Sequence, residues 1–247
     1  MKEPMSELEP AGTYRPQYHF RWRGMTRLLD RFPGLKVRLA DWARRLLRHV
    51  FEPSLVTTER VIEYPFVFQH LNGMTGPILD IGCCHSRLPI AMASRGLRTV
   101  GLDFNPYPFR HPNFLAVCGD AMRLPFAESS FRAVVAISVI EHIGIGHYGD
   151  PSAGSGDCAT VCEIARVLRP GGRALITVPF GLAMTNSWMR TYDSQGLAKL
   201  LASLHAARVE FAVSRNGVWT PSSEAEAAAV SWNGPDRAVA LVVATKP

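Results

Sequence analysis

Residues 77–103 constrain the fold of this chain more than any other stretch. They read PILDIGCCHSRLPIAMASRGLRTVGLD: an apolar run, a turn, apolar residues at helical spacing, and a second apolar run ending at Asp103. This pattern predicts a strand, a tight turn, a helix and a second strand. Such a turn presents free backbone N–H groups at the edge of a sheet, and an acid ending the next strand can accept both ribose hydroxyls. The stretch therefore predicts the opening of a nucleotide-binding α/β sheet.

Apolar runs and helical periods alternate along the rest of the chain. Strands are predicted at 78–81, 98–103, 114–118, 133–138, 173–178, 209–214 and 238–245. Helices are predicted at 57–71, 88–95, 194–204 and 224–230. This alternation is typical of a parallel sheet with right-handed crossovers.

The positive charge of the chain lies at its beginning. Of 247 residues, 47% are hydrophobic and 19% charged, which suits one globular domain with an appendage. Residues 1–50 hold eleven Lys or Arg and five Asp or Glu, so they carry the whole net charge of +6. Residues 35–50 predict a basic amphipathic helix. We therefore divide the chain into a basic N-terminal helical extension, 1–56, and a domain, 57–247. The helix could pack as a lid, bind an anionic substrate or nucleic acid, or touch a membrane surface.

Localisation and cysteine chemistry follow from composition. No apolar run of about 18 residues occurs, and the first ten residues lack the pattern of a secretory signal. We expect a cytoplasmic protein whose five cysteines are thiols. Cys158 and Cys162 lie four apart on a predicted helix, without two further ligands at recognisable spacing, so we predict a buried helix face and no metal.

The turn after the first strand resembles the first motif of the class I S-adenosylmethionine-dependent methyltransferases, which is an acidic residue, an aliphatic residue and GxGxG. Here the motif reads Asp80-Ile81-Gly82-Cys83-Cys84-His85-Ser86. Cys84 and Ser86 stand where the second and third glycines usually fall. Both replacements are small, which favours a modified cofactor pocket.

Three further blocks resemble the same family in order and spacing. They are GDAM with LPF at 119–126, the strand and loop at 130–143, and RVLRPGG with its strand at 166–178. Four ordered blocks are more specific than one glycine-rich loop. The resemblance covers about residues 60–182. It implies a Rossmann-like α/β fold, with a mostly parallel seven-stranded sheet, an antiparallel final strand and helices on both faces.

The resemblance also implies S-adenosylmethionine as cofactor and assigns residues to its parts. Asp80 and Gly82 would border the methionine part, Asp103 the ribose, Asp120 and Met122 the adenine, and Ser138 the sulfonium. Cys84 and Ser86 would line the altered turn.

Glu141 and His142 directly follow the fourth predicted strand, beside the implied methyl group. Imidazole is the side chain best suited to accept a hydroxyl proton near neutral pH. In related enzymes this His can instead pack beside the cofactor, and both readings stay open. A Glu-x-x-Glu-His magnesium site is another alternative, but here its first carboxylate is replaced by Ser138. His147 or Asp150 would have to complete it.

Two segments are candidates to face the acceptor. The glycine-rich loop 144–156 contains His147, a third candidate catalytic residue, and Asp157 follows it. The segment after the fifth strand contains Trp188, Arg190 and Tyr192, and its aromatic residues could stack on a flat or sugar-like acceptor. Core packing is an equal alternative for Trp188.

We predict a methyltransferase that acts on a hydroxyl of a small molecule, sugar-containing or a secondary metabolite. The run 140–151 is similar to bacterial methyltransferase-like proteins of the surface-polysaccharide type. Two alternatives remain: an RNA methyltransferase that uses the basic helix, and a non-catalytic scaffold of the same fold.

Overall fold

A computed structural model describes residues 58–84, 86–146 and 154–246 of the chain. The predicted basic helix and the boundary at residue 56 lie outside these residues, so the division of the chain stays a prediction. Within them, no helix has both the length and the apolar character needed to cross a bilayer. The cytoplasmic location stays a prediction from the sequence.

The described residues form one eight-stranded sheet and a small two-stranded one. In the large sheet the strand order is β3-β2-β1-β4-β5-β10-β8-β9. Its strands are β1 (Pro77–Ile81), β2 (Arg98–Asp103), β3 (Phe114–Cys118), β4 (Phe131–Ile137), β5 (Leu168–Pro179), β8 (His205–Arg215), β9 (Val218–Ser222) and β10 (Arg237–Thr245). The small sheet pairs β6 (Met184–Thr185) with β7 (Arg190–Thr191).

Strands β1 to β5 are parallel neighbours. β1 pairs with β2 and β4, β2 pairs with β3, and β4 pairs with β5. The carboxyl ends of all five strands therefore meet at one edge. Chain order reverses between β1 and β4, and ligands of open α/β sheets bind at such a switch point.

The second half of the sheet is antiparallel. β10 lies between β5 and β8 and runs opposite to both. This confirms the mostly parallel sheet and the reversed final strand. The predicted count of seven strands was one short, because β9 adds an edge strand that pairs with β8. Asn216 and Gly217 have φ of 52° and 76° and form the two-residue turn between them.

Helices cover both faces of the sheet. They are α1 (Arg60–Leu71), α2 (Leu88–Ser94), α3 (Gly156–Val167), α4 (Ser194–Leu200) and α5 (Glu224–Ala228). Two single-turn 3₁₀ helices span Ala121–Arg123 and Ile140–His142. Phe66 of α1 and Met92 of α2 pack with Val135 on one face, while Ile164 of α3 and Leu197 of α4 pack with Val134 on the other. The alternating strand residues thus build two apolar layers.

Candidate active site

The turn after β1 needs glycine at one position. Gly82 has φ of 77°, and a Cβ there would lie 2.3 Å from Cγ2 of Val139, which follows β4. Neither Cys84 nor Ser86 has a positive φ. The two residues that replace family glycines therefore impose no left-handed strain, and of the turn residues that the structure describes Gly82 alone has a positive φ.

Ser86 starts α2. Its Oγ accepts the N–H of Leu88 at 3.0 Å and lies 3.1 Å from the hydroxyl of Tyr64 in α1. The hydroxyl of Tyr107 donates to the Ser86 carbonyl at 2.8 Å. Cys84 is half-buried, with its thiol 3.8 Å from the carbonyl of Pro106. Contacts from α1, from the start of α2 and from the loop after β2 thus hold the turn in place.

Asp103 ties the end of β2 to this turn. Its Oδ2 accepts the N–H of Cys84 and its Oδ1 accepts the N–H of Asn105, both at 2.9 Å. A carboxylate offers about four acceptor positions, so each oxygen can accept one more donor. This arrangement suits two ribose hydroxyls.

Asp80 is buried at the end of β1, and its Oδ2 has no hydrogen-bond partner among the described residues. Burial raises its pKa to about 8, with nearby Arg60 lowering it and Asp103 raising it further. A buried carboxyl oxygen without a partner is costly unless a ligand supplies one. The ammonium group of a bound methionine moiety fits this requirement.

Asp120 and Met122 lie on the loop after β3. Asp120 Oδ1 accepts the N–H of Met122 at 2.8 Å and so starts the first 3₁₀ helix. A Cβ on Gly156 would lie 2.8 Å from Cα of Gly144 and 3.0 Å from Sδ of Met122. The two ends of the glycine-rich loop therefore meet beside Met122.

Ser138, directly after β4, has φ of 45°, which is unusual for a residue other than glycine. Its N–H donates to Oγ1 of Thr177 at 3.0 Å, and its Oγ donates to Oε1 of Glu63 at 2.6 Å. The sequence analysis missed Glu63. A signal existed, because Glu63 precedes the apolar Phe66 and Val67 by three and four residues on α1 and so lies on the buried helix face.

His142 is held by the chain after β5. Its Nδ1 lies 2.6 Å from the carbonyl oxygen of Trp188, and the two rings are in contact with centroids 5.1 Å apart. A carbonyl only accepts, so Nδ1 carries the proton and the neutral ring has its lone pair on Nε2. Nε2 lies 3.7 Å from Oε1 of Glu141. Burial raises the pKa of Glu141 well above its usual range.

Comparisons with known proteins point in one direction. Residues 79–176 match the family model described as a methyltransferase domain. A demethylmenaquinone methyltransferase from Corynebacterium kroppenstedtii is 35% identical over 88 residues, which are 34% of this chain and 34% of that protein. This chain therefore spans about a third of that relative.

Solved structures share the fold. A S-adenosylmethionine-dependent methyltransferase from Methanosarcina mazei superposes with a TM-score of 0.52 at 16% identity, over 73% of this chain and 96% of that one. Geranyl diphosphate C-methyltransferase from Streptomyces coelicolor superposes with 0.52 at 13% identity, over 76% and 79%.

Residues 79–176 thus match a methyltransferase domain, and the chain has the fold of S-adenosylmethionine-dependent methyltransferases.

The cofactor of this methyltransferase family is S-adenosylmethionine, and the edge of the sheet fits it. Asp80 supplies an unsatisfied buried carboxyl oxygen, and Asp103 retains acceptor positions. The roles of individual residues toward the cofactor stay predictions.

One expectation for the methyltransferase's acceptor side was wrong. Tyr192 is only 6% exposed and donates to Oδ2 of Asp157 at 2.9 Å. Arg190 is also buried and donates to the carbonyl of Ile143 at 2.7 Å. These side chains join the chain after β5 to the start of α3, because a buried charge and hydroxyl need partners. The buried Tyr192 ring therefore offers no face to an acceptor, whereas Trp188 is 47% exposed.

Other candidates stay as predictions. His147 and Asp150 lie outside the described residues. Within 58–84, 86–146 and 154–246, no three His, Cys, Asp or Glu side chains come together as a metal site.

Proposed function

We propose that this protein transfers the methyl group of S-adenosylmethionine to a hydroxyl of a small molecule. The observation that carries the proposal is the hydrogen bond from His142 Nδ1 to the Trp188 carbonyl. It sets the neutral imidazole in the tautomer whose Nε2 accepts a proton. Methyl transfer to a hydroxyl needs such a base, whereas transfer to a free amine does not.

The cofactor side is built from the turn after β1 and the ends of β2 to β4. When bound, the cofactor supplies a methyl group activated by an adjacent sulfonium. Asp80 would pair with the ammonium group, Asp103 would accept the ribose hydroxyls, and Asp120 with Met122 would bind the adenine. Gly82 lets the turn lie against Val139. Ser138, directly after β4, would border the sulfonium.

The acceptor side is built around His142. The residue aligns the hydroxyl and takes its proton at Nε2 as the oxygen attacks the methyl group in line. Glu141, with Oε1 3.7 Å from Nε2, is a carboxyl group next to the base. The buried Asp157–Tyr192–Arg190 contacts hold the surrounding segments, so the base keeps its orientation.

Exposed apolar side chains indicate the kind of acceptor. Trp188 contacts the His142 ring, and Leu182, also after β5, is 56% exposed. An indole face binds flat apolar surfaces, including aromatic rings and the C–H face of a sugar. A sugar-containing or secondary metabolite fits this surface. The Corynebacterium relative is named for a small molecule, demethylmenaquinone, which supports a small-molecule acceptor.

The test measures formation of S-adenosylhomocysteine with a panel of hydroxylated aromatic and glycosylated acceptors. We expect His142→Ala to lower kcat by about 10²- to 10⁴-fold, the usual contribution of a general base, while cofactor affinity measured by calorimetry stays unchanged. The rate of the wild type should rise with pH, because only the neutral imidazole of His142 accepts the proton, and the variant should lose this dependence.

His111→Ala is the matched control. His111 also uses Nδ1 locally, accepting the N–H of Asn113 at 3.1 Å, but it lies beside β3. Its replacement should leave kcat unchanged. An unaltered pH profile in His142→Ala would rule out the base assignment, and a product methylated on carbon would rule out transfer to a hydroxyl.

A further inference from the structure

Glu63 of α1 is fully buried and still makes three strong hydrogen bonds. Its Oε2 accepts from Arg60 at 2.5 Å, and its Oε1 accepts from the hydroxyls of Ser138 and Thr177, both at 2.6 Å. A carboxyl group in this position costs desolvation free energy unless all its partners are in place. Such a complete set of partners at the active-site edge points to a positional role.

The partners of Glu63 surround the end of β4. Arg60 also donates to the carbonyl of Ile137, the last residue of β4, at 3.2 Å. Thr177, on neighbouring β5, gives its hydroxyl proton to Glu63 and accepts the N–H of Ser138 on the same oxygen. Three side chains thus hold Ser138 in its left-handed conformation, which would otherwise cost energy.

The conformation of Ser138 reaches the cofactor turn through the next residue. Val139 lies directly over Gly82, so closely that a Cβ on Gly82 would collide with it. The residue after Glu63 acts on the other end of the same turn, because the Tyr64 hydroxyl contacts Ser86 Oγ at 3.1 Å. Glu63 and Tyr64, consecutive residues of α1, therefore contact Ser138 and Ser86, which lie on the two sides of the turn.

We propose that Glu63 is a positioning residue for cofactor binding. It holds Ser138 through its hydroxyl, Ser138 places Val139 against Gly82, and the backbone N–H groups of the turn are thereby aligned toward the cofactor. The proposal rests on the proposed function only in requiring that this turn binds S-adenosylmethionine. A Glu63 with a purely structural role would affect unfolding alone.

Thr177→Val tests the proposal with little change in volume. It removes the hydroxyl that donates to Glu63 and accepts the N–H of Ser138, whereas Thr177→Ser keeps a hydroxyl there. Thr99→Val is the matched control: Thr99 is also a buried strand threonine, and its hydroxyl donates to the Leu97 carbonyl at 3.2 Å, but it lies at the opposite end of the strands. Affinity for S-adenosylhomocysteine is measured by calorimetry, and Tm by thermal unfolding.

We expect Thr177→Val and Glu63→Gln to weaken binding of S-adenosylhomocysteine by about tenfold or more, as expected for lost hydrogen bonds to a charged group. Thr177→Ser should bind within about twofold of the wild type. Thr99→Val should lower Tm by a similar amount to Thr177→Val without weakening binding.

Wild-type affinity in Thr177→Val and Glu63→Gln would overturn the positioning role, and so would an equal loss in Thr99→Val. If Glu63→Gln does not fold, the three threonine variants decide the question. A wild-type protein that binds no S-adenosylhomocysteine would instead overturn the proposed function, so the two failures are distinguishable.

Discussion

At the scale of single residues, the acids at the active-site edge differ in how they are satisfied. Asp103 accepts two backbone N–H groups and Glu63 accepts three side-chain donors. Asp80 and Glu141 each have an oxygen without a partner among the described residues. An acidic side chain whose oxygens all accept hydrogen bonds holds the surrounding segments in place. An acidic side chain with an oxygen that lacks a partner is suited to bind a ligand.

Asp103→Ala should weaken S-adenosylhomocysteine binding strongly, because it removes the acceptors for two ribose hydroxyls and also the bond to Cys84 N–H. Hydrogen bonds to a charged group contribute roughly 1.5–3 kcal/mol each, so we expect a loss of about 100-fold or more in affinity, measured by calorimetry.

Asp193→Ala is the control for Asp103→Ala. Asp193 also accepts a backbone N–H, from Gly196 at 2.7 Å, but it caps α4. Its loss should lower stability by about 1 kcal/mol and leave affinity unchanged. Undiminished binding by Asp103→Ala would refute the ribose assignment.

At the scale of elements, the β8–β9 hairpin contains a strand, β9, that the sequence pattern did not predict. Residues 218–222 read VWTPS, and a proline within a short run argues against a central strand. β9 is the last strand of the sheet, where proline is tolerated. The Asn216-Gly217 pair was the available signal, since it is the preferred sequence of a two-residue hairpin turn.

Gly217→Ala should destabilise the hairpin, because a left-handed φ of 76° costs a residue with a Cβ about 1–2 kcal/mol. Denaturant unfolding measures the change. Gly234→Ala, at a glycine without a positive φ, is the matched control and should cost clearly less. Equal losses in the two variants would show that the turn conformation is not the cause.

At the scale of the whole molecule, burial of acids at one sheet edge makes stability depend on pH. Burial raises the pKa of Asp80 to about 8 and also raises the pKa of Glu141. The folded state then binds more protons than the unfolded state between about pH 4 and the raised pKa. The stability contributed by the protonated acids is complete below about pH 4 and is lost as the pH rises toward 8.

Asp80→Asn removes one of these titrating acids, and its effect is measured in the protein without cofactor. Relative to the wild type, the variant should gain up to about 1.4 kcal/mol in free energy of unfolding per pH unit between pH 5 and 8, since one proton is involved. Urea unfolding at several pH values measures this difference.

Val135→Ala is the control for this series, because Val135 pairs with Asp80 across β1 and β4 and carries no proton. Its difference from the wild type should stay constant with pH. A constant difference for Asp80→Asn as well would contradict the raised pKa.

The sequence by itself determined the parallel half of the sheet and the position of Asp103. Apolar runs alternating with helical periods fold into parallel strands, and the carboxyl ends of such strands converge whatever the remaining contacts are. The reversed final strand and the helices on both faces were expected from the family resemblance and are present. These features depend on local patterns and on topology.

Only the tertiary structure decided how the site is assembled. Glu63 is hydrogen-bonded to Thr177, which is 114 positions away in the sequence, and to Ser138, which is 75 positions away. His142 is hydrogen-bonded to the carbonyl of Trp188, 46 positions away. Tyr192 is buried because Asp157 lies opposite its hydroxyl. The hydrogen-bond partner of a buried polar group depends on contacts between segments that are distant in the sequence. Local residue patterns do not predict these contacts.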